Sequence, residues 1–325
     1  MTRAGGTGRG GRTRLDPDLL LTLAERLTAR DRWLISMVHE HRVLTSRQIT
    51  ALAFSSERVA RARLTVLHRQ RVFDRVRPHA GHGRQSALGH YLLGPAGAPI
   101  LAAHTGLSVG ELGWRRDSAA ALAHSPRLSH LVGVNAVFTA LAHASRPLPA
   151  SQGLTLWWSE RRTAQLWGDL ARPDGYGRWH DPAGGGVEFY LEYDTGTETL
   201  DRVTAKLHGY TALATARARP VLLLFWLPNP ARETHLRRQL TDPARWTPQI
   251  QIATATPAAT ATSGQTGPAA AVWQPLTGTG RLALADLPAA LNLPAPAPMP
   301  ATWDADDVLL GAPFPRPPDP PAGRR

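Results

Sequence analysis

Apolar positions along the first third of the chain recur at helical spacing and then give way to alternation. Residues 28–41 carry Trp33, Leu34 and Met37 at a helical period and predict a first long helix. Thr45-Ser46-Arg47-Gln48 has the form of a capping box, with Thr45 as the cap and Gln48 reaching back, and it opens a short helix bearing Ile49, Leu52 and Ala53. Ser56 starts a third helix that continues to about Gln70. On it Ala60, Leu64 and Leu67 form a buried stripe, while Arg58, Arg61, Thr65, His68 and Arg69 fall on a different face. Residues 72–77 alternate like a strand, the polar, glycine-bearing stretch 80–86 reads as a turn, and residues 89–93 return as a strand. Pro95 to Ala98 begin another helix.

Farther along, residues 126–145 predict a helix with Leu128, Leu131, Val134, Val137 and Leu141 as its apolar positions. After Pro147 the pattern becomes α/β. Residues 154–158 and 187–194 read as strands, 200–216 as a helix, and the unbroken apolar run 221–226 as a fully buried strand. Residues 250–253 and 272–273 add short strands around an Ala/Thr/Pro/Gly-rich surface insertion at 254–271. The expected organisation is a flexible basic arm over 1–15 and a helix-turn-helix with a β-ribbon, the winged-helix arrangement, over 16–108. A linker helix region over 109–146, a mixed-sheet domain over 147–290 and a disordered proline-rich tail over 291–325 follow. The fold class is thus α+β or α/β.

Charge adds a partner to this picture. The chain has 37 Lys+Arg against 25 Asp+Glu, a net charge of +12, which favours a polyanion and nucleic acid first among polyanions. In a winged helix the third helix enters the major groove of double-stranded DNA and the wing touches the backbone. Arg58, Arg61 and Arg69 are the expected readers or phosphate anchors, and Arg84 the wing contact. With no cysteine, disulfides, thiolate metal sites and thiol catalysis are excluded. No apolar run approaches the ~20 residues of a membrane span. Residues 1–14 lack the apolar core of a secretory signal, so membrane insertion is not expected and the cytoplasm is the expected location.

Chemistry concentrates between Pro173 and Tyr210. On a strand through 187–194, Val187, Phe189, Leu191 and Tyr193 face one way and Glu188, Glu192 and Asp194 the other. Neighbouring carboxylates repel unless a cation intervenes. Together with Asp174 they make a hard-oxygen cluster suited to Mg²⁺ or Mn²⁺, which can polarise a phosphate and activate water. Lys206 follows on the next helix. It is the only lysine among the 37 basic residues, and an ammonium is not replaced freely by guanidinium in such a task.

The order Pro173-Asp174, Glu192-x-Asp194, Lys206 resembles the PD-(D/E)XK nuclease superfamily. More narrowly, four segments resemble the replication-relaxation family of actinobacterial plasmids and mobile elements. These are the ribbon ending in Tyr91-Leu-Leu-Gly-Pro-Ala-Gly-Ala98, the helix with Ser129-His130-Leu131 and Asn135, Leu191-Glu-Tyr-Asp-Thr-Gly-Thr-Glu198, and Lys206 to Tyr210. The resemblance implies a restriction-endonuclease-like domain, Asp174, Glu192 and Asp194 as metal ligands, Lys206 as the catalytic lysine, and Glu160 as an additional acid. It further implies DNA nicking or cleavage in plasmid replication or conjugative mobilisation, with other relaxosome proteins as partners. The alternative is a non-catalytic DNA-binding regulator or relaxosome accessory protein whose acidic face is structural or paired with Arg202. The sequence holds no Walker loop, no His-Glu-x-x-His helix and no strand-borne His-hydrophobe-His pair, so the chemistries built on them are set aside.

Overall fold

The computed structural model describes residues 17–77, 88–123, 125–181, 185–240, 249–262, 267–296 and 311–319. It is a mixed α+β chain with a helical N-terminal part and a six-stranded mixed sheet. The N-terminal part runs α1 (Pro17–Arg26), α2 (Ala29–His41), β1 (Leu44–Thr45), α3 (Ser46–Ala53), α4 (Glu57–Arg69), β2 (Phe73–Val76), β3 (His90–Leu93) and α5 (Gly97–Thr105). The capping box forms as expected: Gln48 N donates to Thr45 Oγ1 at 3.2 Å and Thr45 N to Gln48 Oε1 at 2.8 Å. Ser56 caps α4, and Ala60, Leu64 and Leu67 are its buried stripe. His68 departs from the expected polar face, because its ring turns in to the Phe73 carbonyl at 3.1 Å. α1 and the two-residue strand β1, which pairs with β3, are additions to the pattern read from the sequence. The turn at 80–86, with Arg84, lies outside the described residues.

Next come α6 (Arg116–Ala123) and α7 (Arg127–Ser145). The remaining elements are β4 (Gly153–Ser159), α8 (Glu160–Trp167), β5 (Gly175–Asp181), β6 (Gly185–Tyr193), α9 (Leu200–Ala216), β7 (Val221–Trp226), α10 (Pro230–Leu240), β8 (Ile250–Ala255), α11 (Pro257–Thr262), β9 (Gln274–Pro275) and α12 (Leu287–Ala290). The sheet order is β4-β5-β6-β7-β8-β9; β6, β7 and β8 run parallel and the other pairs antiparallel. Both faces are covered. Along β7, Leu222, Leu224 and Trp226 enter one core, while Val221, Leu223 and Phe225 enter the other. The face of β6 that carries Glu188 and Glu192 is therefore interior, packed beneath α9 through Tyr190, Val203, Leu207 and Tyr210.

Strand β5 was not expected, and its sequence explains why. Gly175 and Gly177 break the apolar alternation because aromatic rings lie directly over the strand. A Cβ on Gly177 meets Phe189 at 2.5 Å and Phe138 at 2.9 Å, and one on Gly175 meets Phe138 at 2.5 Å. Gly177→Ala is therefore expected to destabilise the fold by about 1–3 kcal/mol through overpacking, read as a lower urea midpoint with an unchanged slope.

The surface insertion is shorter than expected. β8 extends through Ala255, and Thr254 and Thr256 are fully buried. Within the proline-rich end, where no order was expected, residues 311–319 lie against the body. Trp33 Nε1 donates to the Phe314 carbonyl at 2.8 Å, and Arg316 donates to the carbonyls of Ser145 and Leu148 at 2.6 and 2.8 Å.

Helix α7 is a central element. Its Asn135 side chain donates to the carbonyls of His41 and Val43 at 3.2 and 2.7 Å, and Gln48 of α3 donates to the Val132 carbonyl at 2.8 Å. One core cluster runs from Leu23 to Leu287 and includes residues of both parts. Across the same join, Glu40 of α2 accepts from Arg162 Nε and Nη2 of α8 at 3.0 and 2.7 Å. Two histidines are carried inward here. Burial pushes His41 down from 6.5 to about 3 and, with the Arg161 charge, His39 to about 4. Unfolded imidazoles take up protons near pH 6.5 and the folded ones do not. Stability is therefore greatest above that pH and is lost as pH falls toward 4, by up to about 1.4 kcal/mol per pH unit for each group. Urea midpoints at pH 7 and pH 5 test this; equal midpoints would contradict it.

Candidate functional site

Four elements converge at one end of the β5–β6 pair. The register Gly175↔Leu191 sets Asp174, just before β5, across from Glu192 near the end of β6. Lys206 and Tyr210 reach Glu192 from α9, one turn apart: Lys206 Nζ donates to Oε2 at 2.6 Å and Tyr210 Oη to Oε1 at 2.5 Å. From α7, His130 Nε2 stands 2.9 Å from Asp174 Oδ1, and the other oxygen accepts from Tyr193 N at 2.8 Å. His130 is placed there by a bare backbone one turn on. The Tyr193 ring lies on Gly133, where a Cβ would meet it at 2.2 Å, and it packs edge-on against the His130 imidazole.

The electrostatics follow from burial beside like charge. Glu192 is 3% exposed, and its carboxyl is raised to about 7, first by burial and then by the Asp174 charge. Burial opposes the Lys206 ammonium, but Glu192, Asp174 and Glu198 outweigh it and raise its pKa. Burial likewise opposes the His130 imidazolium, and the hydrogen bond and charge of Asp174 overcome it. All three groups shift toward holding a proton, Glu192 first through burial and Lys206 and His130 through the acids beside them.

Asp194 lines the same cleft as Asp174 and Lys206, with its carboxylate engaged by other partners than theirs. β6 ends at Tyr193, and the chain then turns through Gly196 at a φ of 80°. Asp194 Oδ2 accepts from Arg232 Nε and Oδ1 from Gly196 N, each at 2.6 Å. Glu188, on the same face as Glu192, belongs to a separate network with Tyr176, Arg178, Arg217 and Arg219. Among the described residues, no group of three or more His, Asp or Glu side chains is arranged to hold a metal ion. Asp174 and Glu192 are the carboxylates brought across from each other here, each oxygen of the pair already facing a partner, and of the two Asp174 lines the cleft. A pair suffices for Mg²⁺, which commonly takes one or two protein carboxylates and completes its shell with phosphate oxygens and water.

Asp174 and Lys206 open into a cleft of about 690 Å³ that Glu160 also lines. Arg42, Arg127 and Arg172 line it as well, so cations adjoin the acids. Arg42 is held in a left-handed backbone conformation, φ 65°, that only glycine adopts readily. On α4, Arg58, Arg61 and Arg69 are exposed, and Arg61 has only a 4.0 Å contact with Glu57. Arg63, on the same helix, is instead drawn onto buried Asp31 by two hydrogen bonds of 2.9 and 2.5 Å.

Sequence reasoning brought out Asp174, Glu192 and Lys206 and gave no role to His130, Arg42, Arg127 or Arg172. The His130–Asp174 contact spans 44 residues, and no local periodicity links the two. The family model described as Replication-relaxation matches residues 35–221. No curated protein and no solved structure matches the chain.

Proposed function

The chain belongs to the replication-relaxation family, whose model covers more than half of it, and on that basis we propose that it grips double-stranded DNA and nicks or cleaves it with Mg²⁺ or Mn²⁺ in plasmid replication or mobilisation. The observation that carries the reading is the chain's only lysine, hydrogen-bonded to a buried glutamate across from Asp174 in a cleft lined by three arginines. Asp174 and Glu192 would hold the ion. Such an ion supplies charge neutralisation at the scissile phosphate and a water of lowered pKa.

The protein's own groups have separable roles. His130 and the Tyr193 amide fix the orientation of Asp174, and Tyr210 fixes that of Glu192. The Lys206 ammonium donates toward the negative charge that builds on phosphate oxygens. Arg42, Arg127 and Arg172 hold neighbouring backbone phosphates. Glu160, at the start of α8, adds an acid to the cleft wall. Asp194 acts as a brace for Arg232. The order α2, α3, α4, β2, β3 supports a winged-helix reading in which the exposed face of α4, with Arg58, Arg61 and Arg69, meets the major groove. The sheet, strand before helix before buried strand, supports a PD-(D/E)XK-like reading. Other relaxosome proteins are the partners this role implies.

Incubating the full chain with a supercoiled plasmid bearing its cognate origin tests the proposal. Nicked or linear product is expected with Mg²⁺ or Mn²⁺ and is lost in Asp174→Ala and Glu192→Ala, both of which still retard the DNA in a gel. Binding without cutting under every metal sinks the enzymatic claim. It leaves the second reading, a non-catalytic DNA-binding protein. Calorimetry with Mn²⁺ separates the two, since the second reading gives no heat.

A further inference from the structure

Behind the acids the cleft continues into a smaller pocket of about 180 Å³. The two cavities share Asp174, Glu160, Arg42, Arg127 and Arg172, so they meet at the site itself. Its walls are mixed: Val134, Trp157 and Ala164 are apolar, Glu40, Asn135, Ser159 and Arg161 are polar or charged, and Leu131 is shared with the outer cleft. At the back stands His41, 2% exposed, its ring stacked on Trp157 at 3.6 Å. Neither ring nitrogen of His41 has a hydrogen-bond partner, and neither does the buried indole nitrogen of Trp157. Buried polar atoms are normally paired, and leaving three unpaired around one pocket carries a desolvation cost without a folding benefit.

The chemistry of these groups narrows what fits. Burial keeps the His41 imidazole neutral at physiological pH. A neutral imidazole presents one N–H donor and one bare acceptor nitrogen, the pairing that an anion does not ask for and a heterocycle edge does. The apolar part of the wall, Val134 and Trp157, suits a flat aromatic solute, and the polar part suits its edge. Arg42, Arg127 and Arg172 stand on the side shared with the outer cleft, while Arg161 lines the inner pocket. A ligand with a planar polar-edged ring and a phosphate attached matches both ends.

Resting on the DNA-cleaving reading above, we infer that this pocket receives the base of the nucleotide next to the phosphate held in the cleft. The base is turned out of the helix stack, with its polar edge toward His41. Extruding a base costs stacking and pairing energy and selects for sites where that cost is small, such as a melted or weakly paired origin. The pocket would then contribute to the choice of nick position independently of α4.

The probes are the four deoxynucleoside 5′-monophosphates and inorganic phosphate, titrated calorimetrically into the full chain in EDTA so that no metal bridges them. At least one nucleotide is expected to bind ten-fold or more tighter than phosphate. His41→Phe, which keeps a ring on Trp157 and removes both nitrogens, is expected to erase that preference without changing phosphate affinity. Val134→Leu, which narrows the pocket from a position that does not line the outer cleft, should do the same and guards against a folding defect in the first variant. Equal affinity for phosphate and all four nucleotides overturns the inference, as does a preference that survives both variants. Nicking without nucleotide preference refutes the pocket alone. Nucleotide preference in a protein that never nicks supports the pocket and refutes the enzymatic reading.

Discussion

Lys206→Met is expected to lower the proposed metal-dependent cleavage of origin DNA by about 10²–10³-fold, the range found when one donor to a developing negative charge is removed. Duplex binding should be retained, because the exposed arginines of α4 are untouched. Lys206→Arg should recover little. The ammonium now reaches a buried carboxylate at 2.6 Å while also standing 3.7 Å from Glu198, and a planar guanidinium fork does not occupy the same point between two acids and a phosphate. Single-turnover cleavage with circular dichroism and gel retardation as controls reads this directly. If Lys206→Met cuts at the wild-type rate, the ammonium has only a structural role beside Glu192.

The largest expected effect on folding falls at the join between the helical part and the sheet. Burial alone would raise the Glu40 carboxyl; hydrogen bonds and charge from Arg162, helped by Ser159, hold it at about 2. Glu40→Ala takes away the carboxylate that accepts two hydrogen bonds from Arg162, whose side chain is only 9% exposed. Removing one partner of a buried pair costs about 3–5 kcal/mol, a fall in Tm on the order of 10 °C. Converting both residues to methionine should recover most of the loss, since apolar replacements leave no uncompensated charge. A single variant that melts like the wild type would show that water reaches the pair and screens it.

The parts of the fold that were legible in the sequence are those fixed by neighbours along the chain. The Thr45–Gln48 capping box, the Ala60–Leu64–Leu67 stripe and the continuous apolar run of β7 each depend on contacts within one element or on a single period. β5 escaped because its glycines answer to Phe138, more than thirty residues earlier, and to the paired strand. The site divides in the same way. Asp174, Glu192 and Lys206 stood out by residue type and by the rarity of lysine. His130 could not be linked to Asp174, because only the packing of α7 against the sheet brings them together. Strand alternation put Asp194 on the face of Glu192; the strand ends at Tyr193, and the residue still reaches the cleft that Asp174 lines. One residue past Tyr193 the backbone is already turning toward Gly196, and the carboxylate is delivered to Arg232.

The packed join through α7, Asn135 and the Glu40–Arg162 pair makes the molecule something closer to a caliper than to two beads on a string. In the function proposed above, a phosphate gripped beside α4 and another lying in the acidic cleft would stand at a set offset along the duplex. The spacing between the sequence held and the bond exposed would then be written in helical turns of DNA, by the protein's own masonry.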